Sequence, residues 1–123
     1  DELRECKVGF RAPYIMNATE AVYSGNVTKE KLDALDIEQA RELLMTIKGV
    51  GEKVANCVLL FGLGRREAFP VDVWMKRIME SMYFDGKDTK KLEIEAFAVK
   101  KFGNLGGYAQ QYLFDYARTT LFK

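Results

Sequence analysis

The stretch Leu44-Met45-Thr46-Ile47-Lys48-Gly49-Val50-Gly51-Glu52-Lys53-Val54-Ala55-Asn56-Cys57 decides the fold. Its first half closes an amphipathic run in which Ala40, Leu43, Leu44 and Ile47 recur at helical spacing, headed by a capping-box pattern in Asp36 and Gln39. Two glycines one residue apart then turn the backbone sharply at 48–51, and the periodicity resumes, predicting a second helix over 52–63. Successive amide N–H groups of such a turn sit at the positive end of that second helix, where they can grip phosphate. Main-chain donors carry no sequence information, so Gly49, Val50 and Gly51 would position a nucleic-acid backbone rather than read bases. On these residues alone, a plain tight turn between helices serves equally well.

Lys53 and Asp72 tip that balance. Lys53 lies in the first turn of the second helix, and Asp72 follows 19 positions later, in Phe69-Pro70-Val71-Asp72-Val73-Trp74. An amine attacks carbon only when deprotonated, against an ordinary lysine value of ~10.4. Desolvation, nearby cations and a helix N-terminus all favour the neutral amine. Asp72 is placed to cap a helix carrying Val73, Met75, Arg77, Ile78 and Met82, a role worth ~1 kcal/mol on its own. A carboxylate there also stabilises positive charge growing on a sugar, the device glycosidases use. The bland readings are an exposed lysine at a helix start and a simple N-cap.

Composition narrows the classes. The 123 residues make one domain or a piece of a larger one, and 48% apolar residues are enough for a core. Nineteen Lys and Arg against 18 Asp and Glu leave a net charge of +1, so a DNA-binding face must come from local clustering. The absence of His removes the commonest acid–base residue and most transition-metal chemistry. Cys6 and Cys57, without a CxxC, argue against a zinc or iron–sulfur site and read as free thiols in a reducing compartment. No apolar run reaches membrane-spanning length and no signal peptide is visible. The chain opens Asp1-Glu2-Leu3 without Met, and the expectation is a fragment or trimmed chain.

The remaining periodicity is helical, and the predicted fold class is all-α. A helix over 12–24 carries Ile15, Ala18 and Val22 on one face and stops at Gly25. Thr28 to Leu35 suits a short helix, and Asp88 can cap one that runs to Phe102 and ends at Gly103. Gly106 and Gly107 precede a last helix from Tyr108 to about Leu121, and Ala68–Val71 is too short an extended run for a sheet. On a helical wheel, Lys53, Cys57 and Phe61 share one face, with Val54, Ala55, Val58, Leu59 and Gly62 on the packed side. Cys57 and Phe61 could equally be core.

The Gly-hairpin, Lys53 and Asp72 together resemble the helix-hairpin-helix DNA glycosylases, whose Gly/Pro-rich loop ends in Asp. Within them the chain looks most like the bacterial-type bifunctional 8-oxoguanine DNA glycosylase/AP lyases. The resemblance implies Lys53 as the Schiff-base nucleophile and Asp72 as its catalytic carboxylate. It implies a pocket for a flipped base in which Cys57 covers one face and Phe114 the other, with Phe61 alongside. A Lys53 ammonium–Cys57 thiolate pair would oppose the base's dipole. Gly107-Tyr108-Ala109-Gln110-Gln111-Tyr112-Leu113-Phe114 resembles the family's last helix, and Gln110 would read a purine's Watson–Crick edge with its donor and acceptor. Gln111 facing inward instead, or both amides solvated, remain the alternatives. Gly9-Phe10-Arg11-Ala12 resembles the segment whose aromatic wedges into the duplex and whose Arg reads the widowed cytosine.

Two positions depart from the pattern: Trp74 stands where animal-type relatives place a His near the phosphate, and Phe61 replaces a common Met. The resemblance covers residues 1–123 but only the C-terminal portion of the family's α+β architecture, without its β domain and first helices. It implies an intracellular enzyme on DNA (the bacterial nucleoid, if bacterial). The implied partner is duplex DNA containing 8-oxoguanine, with no membrane. The whole enzyme is expected to be a monomer, and the isolated piece a poor glycosylase that self-associates. No required cofactor and no iron–sulfur cluster is expected, but a structural monovalent or divalent cation on the carbonyls of Met45, Ile47 and Val50 is. Other branches of the superfamily (oxidised pyrimidine, mispaired adenine, alkylpurine) and a non-catalytic helix-hairpin-helix module are the competing functions.

Overall fold

The computed structural model describes residues 2–121, and among them every regular element is a helix. In chain order these are α1 (Glu2–Glu5), a 3-10 turn (Gly9–Arg11), α2 (Ala12–Tyr23), α3 (Lys29–Asp33) and α4 (Ile37–Met45). Next come α5 (Glu52–Cys57) with a π-helical end (Val58–Gly62), and α6 (Val73–Tyr83). The chain closes with α7 (Lys91–Phe102), a 3-10 turn (Gly103–Leu105), α8 (Gly106–Tyr116) and a second π-helical end (Ala117–Leu121). Two units are distinguished, residues 1–55 and 56–123.

In the first unit, short polar caps start the helices. Thr28 accepts from the Lys31 N–H at 3.1 Å and Asp36 Oδ1 from the Gln39 N–H at 2.8 Å, each satisfying an N–H that the helix cannot. Burial falls on Val27, Leu32, Ala40, Leu44, Ile47 and Ala55. The inward face expected for α2 does not form: Ala12 is its one buried residue, while Ile15 and Val22 are exposed and Ala18 is half-buried.

The second unit has the denser core. Met75, Ile78 and Met79 on α6, Ile94 and Ala98 on α7, and Leu113 and Ala117 at the end of the chain pack with Phe69 and Val71. Each large side chain buried in this way contributes roughly 1.5–3 kcal/mol. An aromatic rim closes over them, with Tyr83 and Phe97 ring centroids 4.9 Å apart and Phe84 and Phe97 5.2 Å apart. Ala68–Val71 is buried but forms no strand.

Three expected boundaries move. Asp88 does not cap α7; the N-cap is Lys90, because the Asp88 carboxylate is taken by Lys76 Nζ while the Thr89 N–H bonds Glu80 Oε2 at 2.7 Å. The second hairpin helix reaches Gly62, but its last turn is widened to π, with Leu63 N–H donating to Val58 carbonyl. Gly106 and Gly107 do not precede α8; they are its buried first residues. No helix among the described residues is long and apolar enough to cross a membrane.

Candidate active site

The hairpin forms where the glycines put it. After α4 the Val50 N–H donates to the Ile47 carbonyl at 3.0 Å, and Gly49 takes φ +94°, a conformation that strains other residues. A Cβ on Gly49 would stand 2.4 Å from Tyr14 Cγ, so the ring of Tyr14 lies directly on the turn. Gly51 needs no unusual φ, and a Cβ there would meet nothing within 4 Å, which leaves its backbone open to approach. Lys53 is exposed in the first turn of α5, one turn before the half-buried Cys57.

The packed side of this helix differs from the predicted one. Ala55, Asn56, Leu59 and Leu60 are buried, whereas Val54 and Val58 are exposed and so is Gly62. Asn56 is a polar residue on the buried face, which apolar periodicity does not mark. Among the described residues no buried side-chain N or O is left without a hydrogen bond. Phe61 is exposed, and the widened π turn between it and Cys57 breaks the simple four-residue spacing on which their shared stripe rested.

Asp72 caps α6, its Oδ1 accepting from the Met75 N–H at 2.8 Å. The cation one turn on, Lys76, is occupied elsewhere: hydrogen bonds to Asp88 first and Glu80 second raise its pKa, and Lys76 in turn holds the Asp88 carboxyl below its ordinary value. Asp72 itself is half-buried at the helix start.

Gln110 is buried and Gln111 is exposed. The Gln110 amide donates through Nε2 to the Pro70 carbonyl at 3.3 Å and accepts from Gln111 Nε2 through Oε1. A carbonyl can only accept, so Pro70 fixes which way round the amide lies, two residues before Asp72. The sequence offered no sign of this contact, since it rests on a main-chain oxygen. Phe114, one turn after Gln110, lines a cleft of about 190 Å³ with Trp74, Ile78, Ala117 and Arg118. Two predicted residues thus meet there, Phe114 and a Trp74 that carries the Arg77 guanidinium 5.1 Å from its ring centroid. In the first unit Phe10 is 74% exposed on its 3-10 turn, with the Arg11 guanidinium 4.9 Å over its ring. Met45 is exposed, Ile47 buried and Val50 half-buried around the turn. Their neutral main-chain oxygens suit a hard cation, although the Ile47 carbonyl already shares itself with Val50.

No protein-family profile matches the chain, but individual proteins do. It is 42% identical over 118 residues to a probable N-glycosylase/DNA lyase of Methanothermobacter thermautotrophicus, covering 96% of the chain and 37% of that protein. It is 35% identical over 125 residues to the N-glycosylase/DNA lyase OGG1 of Arabidopsis thaliana, covering 93% of the chain and 34% of that protein. Among solved structures it superimposes on a Clostridium acetobutylicum 8-oxoguanine glycosylase/lyase in complex with double-stranded DNA containing cytosine opposite 8-oxoguanine. The TM-score is 0.85 at 41% identity, over 96% of the chain and 40% of that structure. MBOgg1, solved with a low-affinity DNA ligand, matches with a TM-score of 0.87 at 48% identity, over 94% of the chain and 39% of that structure. The chain spans well under half the length of each. Through these relations the chain belongs to the helix-hairpin-helix DNA glycosylase superfamily.

Proposed function

We propose that the chain supplies the catalytic helices of a base-excision repair enzyme that removes 8-oxoguanine from duplex DNA and then cuts the strand. The observation that carries the reading is 41% identity at a TM-score of 0.85 to an 8-oxoguanine glycosylase/lyase, in a chain that has both Lys53 and Asp72. In this reading the hairpin amides at Gly49–Gly51 hold phosphate, Trp74 lies beside the backbone, and Phe10 and Arg11 occupy the gap left by the flipped base. The base enters between Cys57 and Phe114, with Phe61 at the mouth and the Gln110 amide on its edge. The free Lys53 amine attacks C1′, the glycosidic bond breaks, and the base leaves with the bonding pair. The Asp72 carboxylate offsets the positive charge that builds on the sugar. The sugar ring opens to a Schiff base on Lys53, and loss of the proton at C2′ drives β-elimination of the 3′ phosphate.

A monovalent or divalent cation on the Met45, Ile47 and Val50 carbonyls would stiffen the hairpin and take no part in the chemistry. Borohydride trapping tests the reading. The intact protein should become covalently linked to 8-oxoguanine DNA during turnover, and Lys53→Gln should abolish the link. Trapping that survives the substitution would move the nucleophile elsewhere.

A further inference from the structure

Gly107 is buried in the first turn of α8, where its N–H donates to the Arg66 carbonyl at 2.7 Å. Its backbone is not in the left-handed region, so conformation does not require glycine there. Space does. A Cβ on Gly107 would lie 2.3 Å from Leu60 Cδ1, 2.9 Å from the Ala68 carbonyl oxygen and 3.0 Å from the Arg66 carbonyl oxygen. The leucine methyl can swing away, but the carbonyls cannot. Their loop is tied down by Arg65 N–H to the Leu59 carbonyl at 2.8 Å and Ala68 N–H to the Arg65 carbonyl at 3.0 Å. At Gly106 the corresponding closest approach, to the Glu67 carbonyl oxygen, is 3.3 Å, tight but clear of the overlap below 3.0 Å found at Gly107. One turn beyond Gly107, the Gln110–Pro70 bond is already long at 3.3 Å, so a displacement of a few tenths of an ångström takes the amide out of reach.

We propose that Gly107 is a positioning residue: by seating α8 on the Arg66 and Ala68 carbonyls it holds the Gln110 amide in the one orientation that meets a base edge. Gly107 touches no substrate itself. The proposal rests on the reading of Gln110 as the base reader, and it predicts control over which base is excised rather than over strand cutting.

The test compares Gly107→Ala with Gly106→Ala in the intact protein, on 8-oxoguanine duplex and on duplex with a preformed abasic site. Alanine is the better helix former at both positions, so helix propensity favours both variants and only the steric difference separates them. Gly107→Ala should slow single-turnover 8-oxoguanine excision by about tenfold or more, the scale of one lost pocket hydrogen bond. It should leave abasic-site cutting within about twofold, and Gly106→Ala, with the milder contact, should lose less 8-oxoguanine excision than Gly107→Ala. If Gly107→Ala does not fold, Leu60→Ala/Gly107→Ala, freed of the closest contact, takes its place against Leu60→Ala alone. Parallel losses on both substrates, equal losses in the Gly106 variant, or no loss would overturn the positioning role. So would the same split appearing in Leu60→Ala alone. A parent that cuts neither substrate would overturn the underlying reading, and the proposal with it.

Discussion

Replacing Asp72 separates the helix cap from the proposed catalytic role, because asparagine keeps the first and discards the second. In Asp72→Asn the amide would retain an Oδ1 to accept the Met75 N–H now bonded at 2.8 Å, and Asn and Asp cap helices about equally. The loss of stability is then confined to the negative charge at the start of α6, roughly 0.3–1 kcal/mol. Asp72→Ala also removes the acceptor, leaving the N–H of the fully buried Met75 to find another, at a further cost of about 1 kcal/mol. The chemistry runs on a different scale. Loss of one preorganised electrostatic group facing a developing charge lowers turnover by about 10²–10³, or some 2.7–4 kcal/mol. The intact Asp72→Asn protein should therefore unfold at nearly the parental urea midpoint and bind lesion duplex with near-parental affinity. Its single-turnover excision should fall by at least two orders of magnitude, as roughly estimated from that same range. Asp72→Ala should show the same kinetic loss on a less stable fold. Excision by Asp72→Asn within about tenfold of the parent, or a loss of binding as large as the loss of rate, would reduce Asp72 to a helix cap and refute the reasoning.

Three further outcomes follow from the geometry. Gly49→Ala forces a side chain onto φ +94° and into the Tyr14 ring, costing at least about 1–2 kcal/mol. Melting temperature and salt-dependent DNA affinity should both drop, whereas Gly51→Ala, with open space around it, should melt like the parent. Gln110→Ala should impair 8-oxoguanine excision far more than cutting of a preformed abasic site; equal losses would place Gln110 outside the pocket. The Asp88 carboxyl is held low by Lys76, so its contribution to stability is present above the ordinary carboxylate range and is lost as pH falls through its depressed value. Lys76 is raised, so its contribution is lost only as pH climbs past the ordinary lysine range. Urea midpoints measured across pH should show Asp88→Asn with a flatter acid limb than the parent, and an unchanged limb would remove Asp88 from the linkage.

What the sequence determined by itself was local. Periodicity, the Thr28, Asp36 and Asp72 caps and the glycines of 48–51 set down the helices and the hairpin, because each depends on neighbours within a turn or two. The candidate residues Lys53 and Asp72 were legible for the same reason, as motifs at fixed spacing. Three features were decided by tertiary structure alone. Asp88 read as a cap but is drawn off by Lys76, twelve positions earlier. The choice between Gln110 and Gln111, open on paper, went to Gln110 because the Pro70 carbonyl lies forty positions away in sequence and within bonding reach in space. The need for glycine at 107 is invisible in any local rule, since its backbone is ordinary and only the Leu60, Ala68 and Arg66 atoms against it exclude a side chain. Local sequence encodes which hydrogen bonds a turn can make with itself; the atoms that arrive from elsewhere in the chain decide how much room is left.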